Sequence, residues 1–233
     1  MKTIKKKKGQ VVGSFLSGVC VFGIFNNFII EFESQNQIIR GERGSERTAM
    51  IFGEYFPNPA IFNQYRDNGY FLISPIGACA IEAFGTFILV FIIFVLTDEN
   101  NDLYQKNRTL AAMGPYFIGF TVSTLISLFS PLTQAGWNPA RDFGPRLVAL
   151  IIGYKSIAIP GPRNGFWVYI VGPIIGGLFG GFLYNFTIGK SILVNTKNKK
   201  KFKPCEPVGT ISLLLNDQEE SEGKCLIVRE GGK

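Results

Sequence analysis

Histidine is missing from the chain, all 233 residues of it. That absence removes imidazole metal ligands, histidine-dependent nucleophile–base pairs and a histidine pH sensor together. Charge is scarce as well: 18% of residues are Asp, Glu, Lys or Arg, against about 25% in a soluble domain. The cysteines Cys20, Cys79, Cys205 and Cys225 lack metal-ligand spacing and read as structural thiols. Neither a metal nor a cofactor is expected, and no nucleophile–base pair stands in the apolar region, so the chain is not read as an enzyme. What is abundant is apolar: 46% hydrophobic residues, with 22 Phe and 27 Gly.

Those residues gather in stretches of bilayer length, about 20 residues each, over 11–30, 72–97, 110–130 and 165–188. The last two contain no ionisable side chain, and Glu82 stands alone in the second. Gly172, Gly176, Gly177, Gly180 and Gly181 punctuate the last, which permits close helix–helix approach in lipid. A signal peptide is the rival reading of the first stretch. Its apolar part exceeds the usual h-region of about 7–15 residues, and Asn26-Asn27 and Glu31-Phe32-Glu33 follow in place of a cleavage site.

The net charge of +7 is not a nucleic-acid signature, because five lysines fall in residues 2–8 and six in 190–203, flanking the apolar stretches. Under the positive-inside rule both flanks are cytoplasmic. This gives a basic cytoplasmic N-terminus over 1–10, a membrane-spanning domain over 11–188 and a cytoplasmic tail over 189–233. Segments 33–71 and 131–164 are then outside and 98–109 inside. The polar tail is expected to lack a fixed fold, and its apolar patches 211–215 and 225–228 are too short to span.

Segment 131–153 fits no span. Asn138 followed by Pro139 is a helix start, a side-chain cap and then a residue whose missing N–H does no harm there. Asp142 complements the positive end of that helix. A helix over 139–152 would be about 22 Å long, too short for about 30 Å of hydrocarbon. An apolar half-helix preceded by polar extended backbone is the pattern of a re-entrant loop, tolerated at membrane depth where it is buried or lines a water-filled cavity. Its positive end and amide donors repel cations and bind neutral hydroxyls, with Arg141 at the pore wall. A surface amphipathic helix with an ordinary cap is the plainer alternative.

Asn138-Pro139-Ala140-Arg141 resembles the second Asn-Pro-Ala motif and selectivity arginine of the aquaporin family, and the likeness covers most of residues 10–190. The continuation Asp142-Phe143-Gly144-Pro145-Arg146 is similar to the glycerol-conducting branch, the aquaglyceroporins. So are Gln10, Gly13-Ser14-Phe15, Ile30-Glu31-Phe32-Glu33, Ile39-Arg40-Gly41 and Tyr55-Phe56-Pro57-Asn58-Pro59. The triplet Asn58-Pro59-Ala60 is not the first motif. Only the spans 72–97 and 110–130 separate it from Asn138, so both triplets fall on one face, and residues 58–60 read as outer-loop backbone.

The resemblance implies an all-α membrane protein, an aquaporin-like helical bundle that is incomplete: four transmembrane helices and one re-entrant half-helix. The family's first two spans and inner Asn-Pro-Ala loop have no counterpart, as in a fragment or a natural short form. It also implies a passive channel for glycerol, other small neutral solutes and water, a homotetramer when complete, with the lipid bilayer but no nucleic acid as partner. The alternative is a non-conducting paralogue that assembles with complete channels. By the same resemblance Gln134, Ala135 and Gly136 present pore carbonyls, with Ala135 at a filter position that is aromatic in bacterial glycerol facilitators. Ile126 stands where strict water channels carry histidine, and Asp142 and Arg146 mark the glycerol branch. Tyr169-Ile170 replace a pair usually Pro-Leu in glycerol channels. Glu82 braces the backbone of the re-entrant loop.

Overall fold

A computed structural model describes residues 2–62, 72–98, 101 and 107–190, with side chains from Gly9 onward. The expectations for the tail beyond Lys190, for Cys205 and Cys225 and for most of the 98–109 loop lie outside these residues. All described regular structure is helical. The long helices are α1 (Lys2–Gln35), α2 (Pro75–Thr97), α3 (Gly114–Thr133), the shorter α4 (Pro139–Ala149) and α5 (Val168–Tyr184). Four helical segments, Gly9–Gln35, Pro75–Thr97, Gly114–Thr133 and Pro162–Gly189, are long and apolar enough to cross a membrane.

The boundaries have local causes. Ser74 caps α2 by accepting from the Gly77 N–H at 3.0 Å, with Pro75 directly after it. The apolar stretch 110–130 divides into a short turn, Arg108–Ala112, and α3, because Pro115 in the first turn of α3 has no N–H with which to continue the earlier helix. Before α5 the backbone tightens into a 3-10 turn, Pro162–Trp167, with Arg163 and Asn164 at φ of 54°. Helical backbone continues past Ala149 to Ile152, near the expected end. Its last part is a wider π turn, Leu150–Tyr154, in which Gly153 at φ 108° turns the chain back.

Two helix pairings dominate. Gly172, Gly176 and Gly180 on α5 lie over the Cys79, Ala83 and Phe87 carbonyl oxygens of α2, so close that an added Cβ would stand 2.9, 2.0 and 2.6 Å from them. Repeats of four on both helices bring backbone to backbone along two turns, the small-residue packing suited to lipid. The other pairing joins α1 to α4. A Cβ on Gly144 would stand 2.0 Å from Ser14 Oγ, and one on Gly18 would stand 2.8 Å from Pro145 Cα. The half-helix is thus seated against α1 by its own small residues.

Segment 36–62 covers one end of the bundle. Glu33, near the end of α1, accepts from Arg40 Nε at 2.9 Å, from the Thr48 hydroxyl at 2.9 Å and from the Tyr154 hydroxyl at 2.9 Å. Phe52, Tyr55, Val148 and Tyr154 form a buried cluster there with Ile29. Asn58 ties this segment to α3, since its Nδ2 and backbone N–H donate to the Ser130 and Pro131 carbonyls at 3.0 and 3.2 Å. Those belong to the last turn of α3, where the Ser130 carbonyl also accepts from the Gln134 N–H at 3.0 Å. The Asn58-Pro59-Ala60 triplet therefore sits at the same end as residues 134–138.

Candidate functional site: the re-entrant loop and its arginine

The loop between α3 and α4 turns sharply because Gln134, Ala135 and Trp137 all take positive φ, 62°, 61° and 46°. Conformations that side chains rarely adopt need outside support, and Glu82 supplies part of it. Its carboxylate accepts from the Gly136 N–H at 3.1 Å and the Trp137 N–H at 2.7 Å, and the residue is fully buried. The Tyr169 hydroxyl donates to the Thr133 carbonyl at 3.2 Å just before the turn. Gly85 gives the Trp137 indole its room, since a Cβ there would stand 2.1 Å from Nε1.

A carboxylate serves both amides at once, whereas a carboxamide has one acceptor oxygen and would turn its N–H₂ toward the other N–H. Glu82→Gln should therefore cost about 1–3 kcal/mol, the penalty for a buried donor left unmet. Thermal unfolding in detergent against the parent chain reads this, and a melting temperature unchanged by the substitution would refute it.

Asn138 caps α4, its Oδ1 accepting from the Ala140 and Arg141 N–H groups at 3.0 and 3.4 Å. The positive end of α4, worth roughly half an elementary charge, opens onto a cavity of about 440 Å³ lined by Gln10, Val11, Asn138, Pro139, Ala140, Phe143, Ile170 and Ile174. The lining is mostly apolar, with the amide side chains of Asn138 and Gln10 among it, which suits a small solute that carries both hydroxyls and carbons.

Arg141 is half exposed, with its Nη1 toward the Ala135 and Gly136 carbonyls at 3.3 and 3.4 Å and paired closely with Glu54. Glu54 comes from segment 36–62, 87 residues earlier in the chain. Burial, opposed by the neighbouring Arg141 charge, pushes its carboxyl from the ordinary range up to about 8. The sequence gives no sign of this residue's part, since an acid in a charged loop signals nothing beyond solvation.

Beneath that pair lies a second. Arg146 and Asp142 are each 1% exposed. Nε and Nη2 of the arginine donate to the two Asp142 oxygens at 2.9 and 2.7 Å, Nη1 donates to the Ala158 carbonyl at 2.9 Å, and Nη2 also meets the Glu54 carbonyl. The Glu54 N–H donates to Asp142 Oδ1 at 2.7 Å, and the Tyr55 N–H to Gln134 Oε1 at 2.7 Å. The rings of Tyr55, Phe166 and Tyr169 lie 4.8, 5.3 and 5.7 Å from the guanidinium carbon.

Three of the expected site residues are placed apart from the Arg141 side chain or meet it through backbone alone. Asp142, expected beside the filter, is buried and engaged by Arg146 and the Glu54 amide, so it holds the outer segment to the half-helix and does not face a solute. The Ala135 side chain is buried with Leu125 and Trp137, and what it offers Arg141 is its carbonyl. Ile126 sits on α3, 38% exposed, and none of the described contacts joins it to Arg141. Asn138, Pro139, Ala140, Arg141, Gln134, Gly136 and Glu82 gather in and under one loop.

Comparison with known proteins agrees with this geometry. The family model for major intrinsic protein matches residues 7–184. The glycerol uptake facilitator protein of Escherichia coli (strain K12) is 33% identical over 185 residues, 78% of this chain and 59% of the relative. The propanediol uptake facilitator PduF of Citrobacter freundii is 33% identical over 197 residues, 84% of this chain and 66% of the relative. The chain thus spans about three fifths of the length of such relatives. In fold it is similar to the X-ray structure of the aquaglyceroporin from Plasmodium falciparum, with a TM-score of 0.53 and 23% identity over 79% of this chain and 63% of that one. With a family model matching most of its length and four helices able to cross a membrane, the chain is an integral, multi-pass membrane protein and belongs to the major intrinsic protein family.

Proposed function

We propose that the chain supplies the outer half of a passive channel for glycerol, other small neutral solutes and water. The observation that carries this reading is Arg141 held by Glu54 and loop carbonyls beside the capped end of a half-helix, with an amphipathic cavity below. The helix end and guanidinium repel cations and donate hydrogen bonds to hydroxyls, which admits uncharged solutes without covalent chemistry. The half-helix and the covered end face outside and the lysine flank faces the cytoplasm. Two further spans and an opposing Asn-Pro-Ala half-helix close the pathway, and the channel so completed is a homotetramer. The similarity to a glycerol and a propanediol facilitator supports this solute class.

The test is light scattering on proteoliposomes holding the 233 residues either alone or co-assembled with a facilitator segment bearing those two spans and half-helix. Glycerol flux from the co-assembly above that of empty vesicles is the expected result. No flux from the co-assembly would overturn the channel reading and favour a non-conducting subunit.

Glu54 gives the outer mouth a pH dependence. Its carboxyl is raised to about 8 in the fold, so between the unfolded carboxylate value, about 4.3, and 8 the folded state binds more protons than the unfolded. Stability from this group is therefore fully present at the acid end and is lost as pH rises through 8. Melting temperatures over pH 5–9 should show that decline in the parent chain and a flatter profile in Glu54→Gln. Parallel profiles would contradict it.

A further inference from the structure

A second concavity, of about 410 Å³, runs along α1 away from the proposed pathway. Val21, Phe25, Phe28 and Phe32 line it at helical spacing, with Ile51 and Arg47 from segment 36–62 beside them. Phe25, Phe28, Phe32 and Ile51 are 47, 73, 39 and 47% exposed. From Val21 to Phe32 the helix rises about 16 Å, near half the hydrocarbon thickness of about 30 Å. The groove is therefore about as long as one leaflet is deep, which suits an acyl chain.

Its two ends differ. At Val21 there is no charge. At Phe32 the exposed Arg47 guanidinium lies 5.2 Å from the ring centre and donates to Asn36 Oδ1 at 3.3 Å. Arg47 belongs to none of the ion pairs Arg40 with Glu33, Arg141 with Glu54 and Arg146 with Asp142. Nearby carboxylates serve other donors: Glu31 accepts from Gln35 at 2.8 Å, Glu46 from the Gly44 N–H at 2.7 Å, and Glu33 from Arg40, Thr48 and Tyr154. The exposed guanidinium is thus within reach of a ligand anion at this end of the groove.

We propose that this groove binds one anionic phospholipid of the leaflet at that end, its phosphate on Arg47 and an acyl chain running from Phe32 to Val21. The site is separate from the solute pathway and does not depend on conduction. Native mass spectrometry of the full chain, released from micelles holding equal phosphatidylglycerol and phosphatidylcholine of the same chain length, tests it. One phosphatidylglycerol should be retained about fivefold over phosphatidylcholine, the preference that one arginine gives near a membrane surface. Arg47→Ala should bring the two lipids to parity, Arg47→Lys should keep most of the preference, and Ile51→Trp, which fills the groove, should reduce retention of both. Parity in the parent chain overturns the proposal, as does a preference unchanged by Arg47→Ala or retention unchanged by Ile51→Trp.

Discussion

Arg146→Ala should destabilise the fold by about 3–5 kcal/mol, the loss found when one partner of a buried ion pair is removed. Arg146 has no route to water. It is 1% exposed and sandwiched by Tyr55, Phe166 and Tyr169. Its removal leaves Asp142, also 1% exposed, with the Glu54 N–H as its remaining strong donor, and strands the Ala158 carbonyl. Arg146→Lys keeps the charge but loses the planar fork that meets both Asp142 oxygens, so it should fall between parent and alanine. The sharper control is Asp142→Leu combined with Arg146→Met. If the penalty is chiefly an uncompensated buried charge, the apolar pair recovers much of what Arg146→Ala loses. Denaturation in detergent followed by circular dichroism reads all three. Arg146→Ala melting with the parent would remove this pair from any part in holding segment 36–62 to the half-helix.

That pair also marks the limit of what the sequence discloses. Asn138-Pro139 announces a helix start because capping and proline chemistry are local, and the helix begins at Pro139. The membrane-capable helices and the brace at Glu82 are legible for a similar reason: apolar length is local, and one ionisable residue inside it demands a partner. Asp142 and Arg146 stand four apart, a spacing that on an exposed helix signals only a weak surface pair. Their burial depends on segment 36–62 folding over them, and the Glu54 contacts that do this cross 88 and 92 residues. Glu54 itself is illegible for the same reason. Helical backbone stops after Ile152, where Gly153 takes the positive φ that closes the turn, and the widening of the last turn into a π turn is what apolar periodicity does not register.

The outer mouth is consequently a construction of two layers. Arg141, half exposed, is oriented by Glu54, Ala135 and Gly136, and in the proposed channel it is the one that faces the solute. Arg146 below it faces nothing but protein and fixes the Glu54 backbone through the Asp142 carboxylate and its own Nη2. Two arginines five residues apart on one half-helix thus divide the work: one is left half exposed, and the other holds the segment that orients it.

Gly176→Ala should be as damaging as a buried-charge defect although it adds one methyl group. The added Cβ would stand 2.0 Å from the Ala83 carbonyl oxygen and 2.8 Å from its carbon. The obstacle is backbone, which no rotamer change can move, so α2 and α5 must separate. Separation also weakens the close contacts at Gly172 and Gly180, where a Cβ would already meet the Cys79 and Phe87 carbonyls at 2.9 and 2.6 Å. Overpacking costs about 1–3 kcal/mol where side chains can shift, and a rigid contact repeated along two turns places this one at or above the upper end. The adjacent position separates sterics from composition. A Cβ on Gly177 would meet only the Val90 and Thr86 methyl carbons, at 3.8 and 4.0 Å. Gly177→Ala should thus be neutral or stabilise by up to about 1 kcal/mol, the helix-propensity difference between the two residues. Both substitutions change the same helix by the same atoms, one residue apart, so a difference in melting temperature between them reports the α2–α5 contact alone. Equal melting temperatures would mean that the two helices are not packed backbone to backbone.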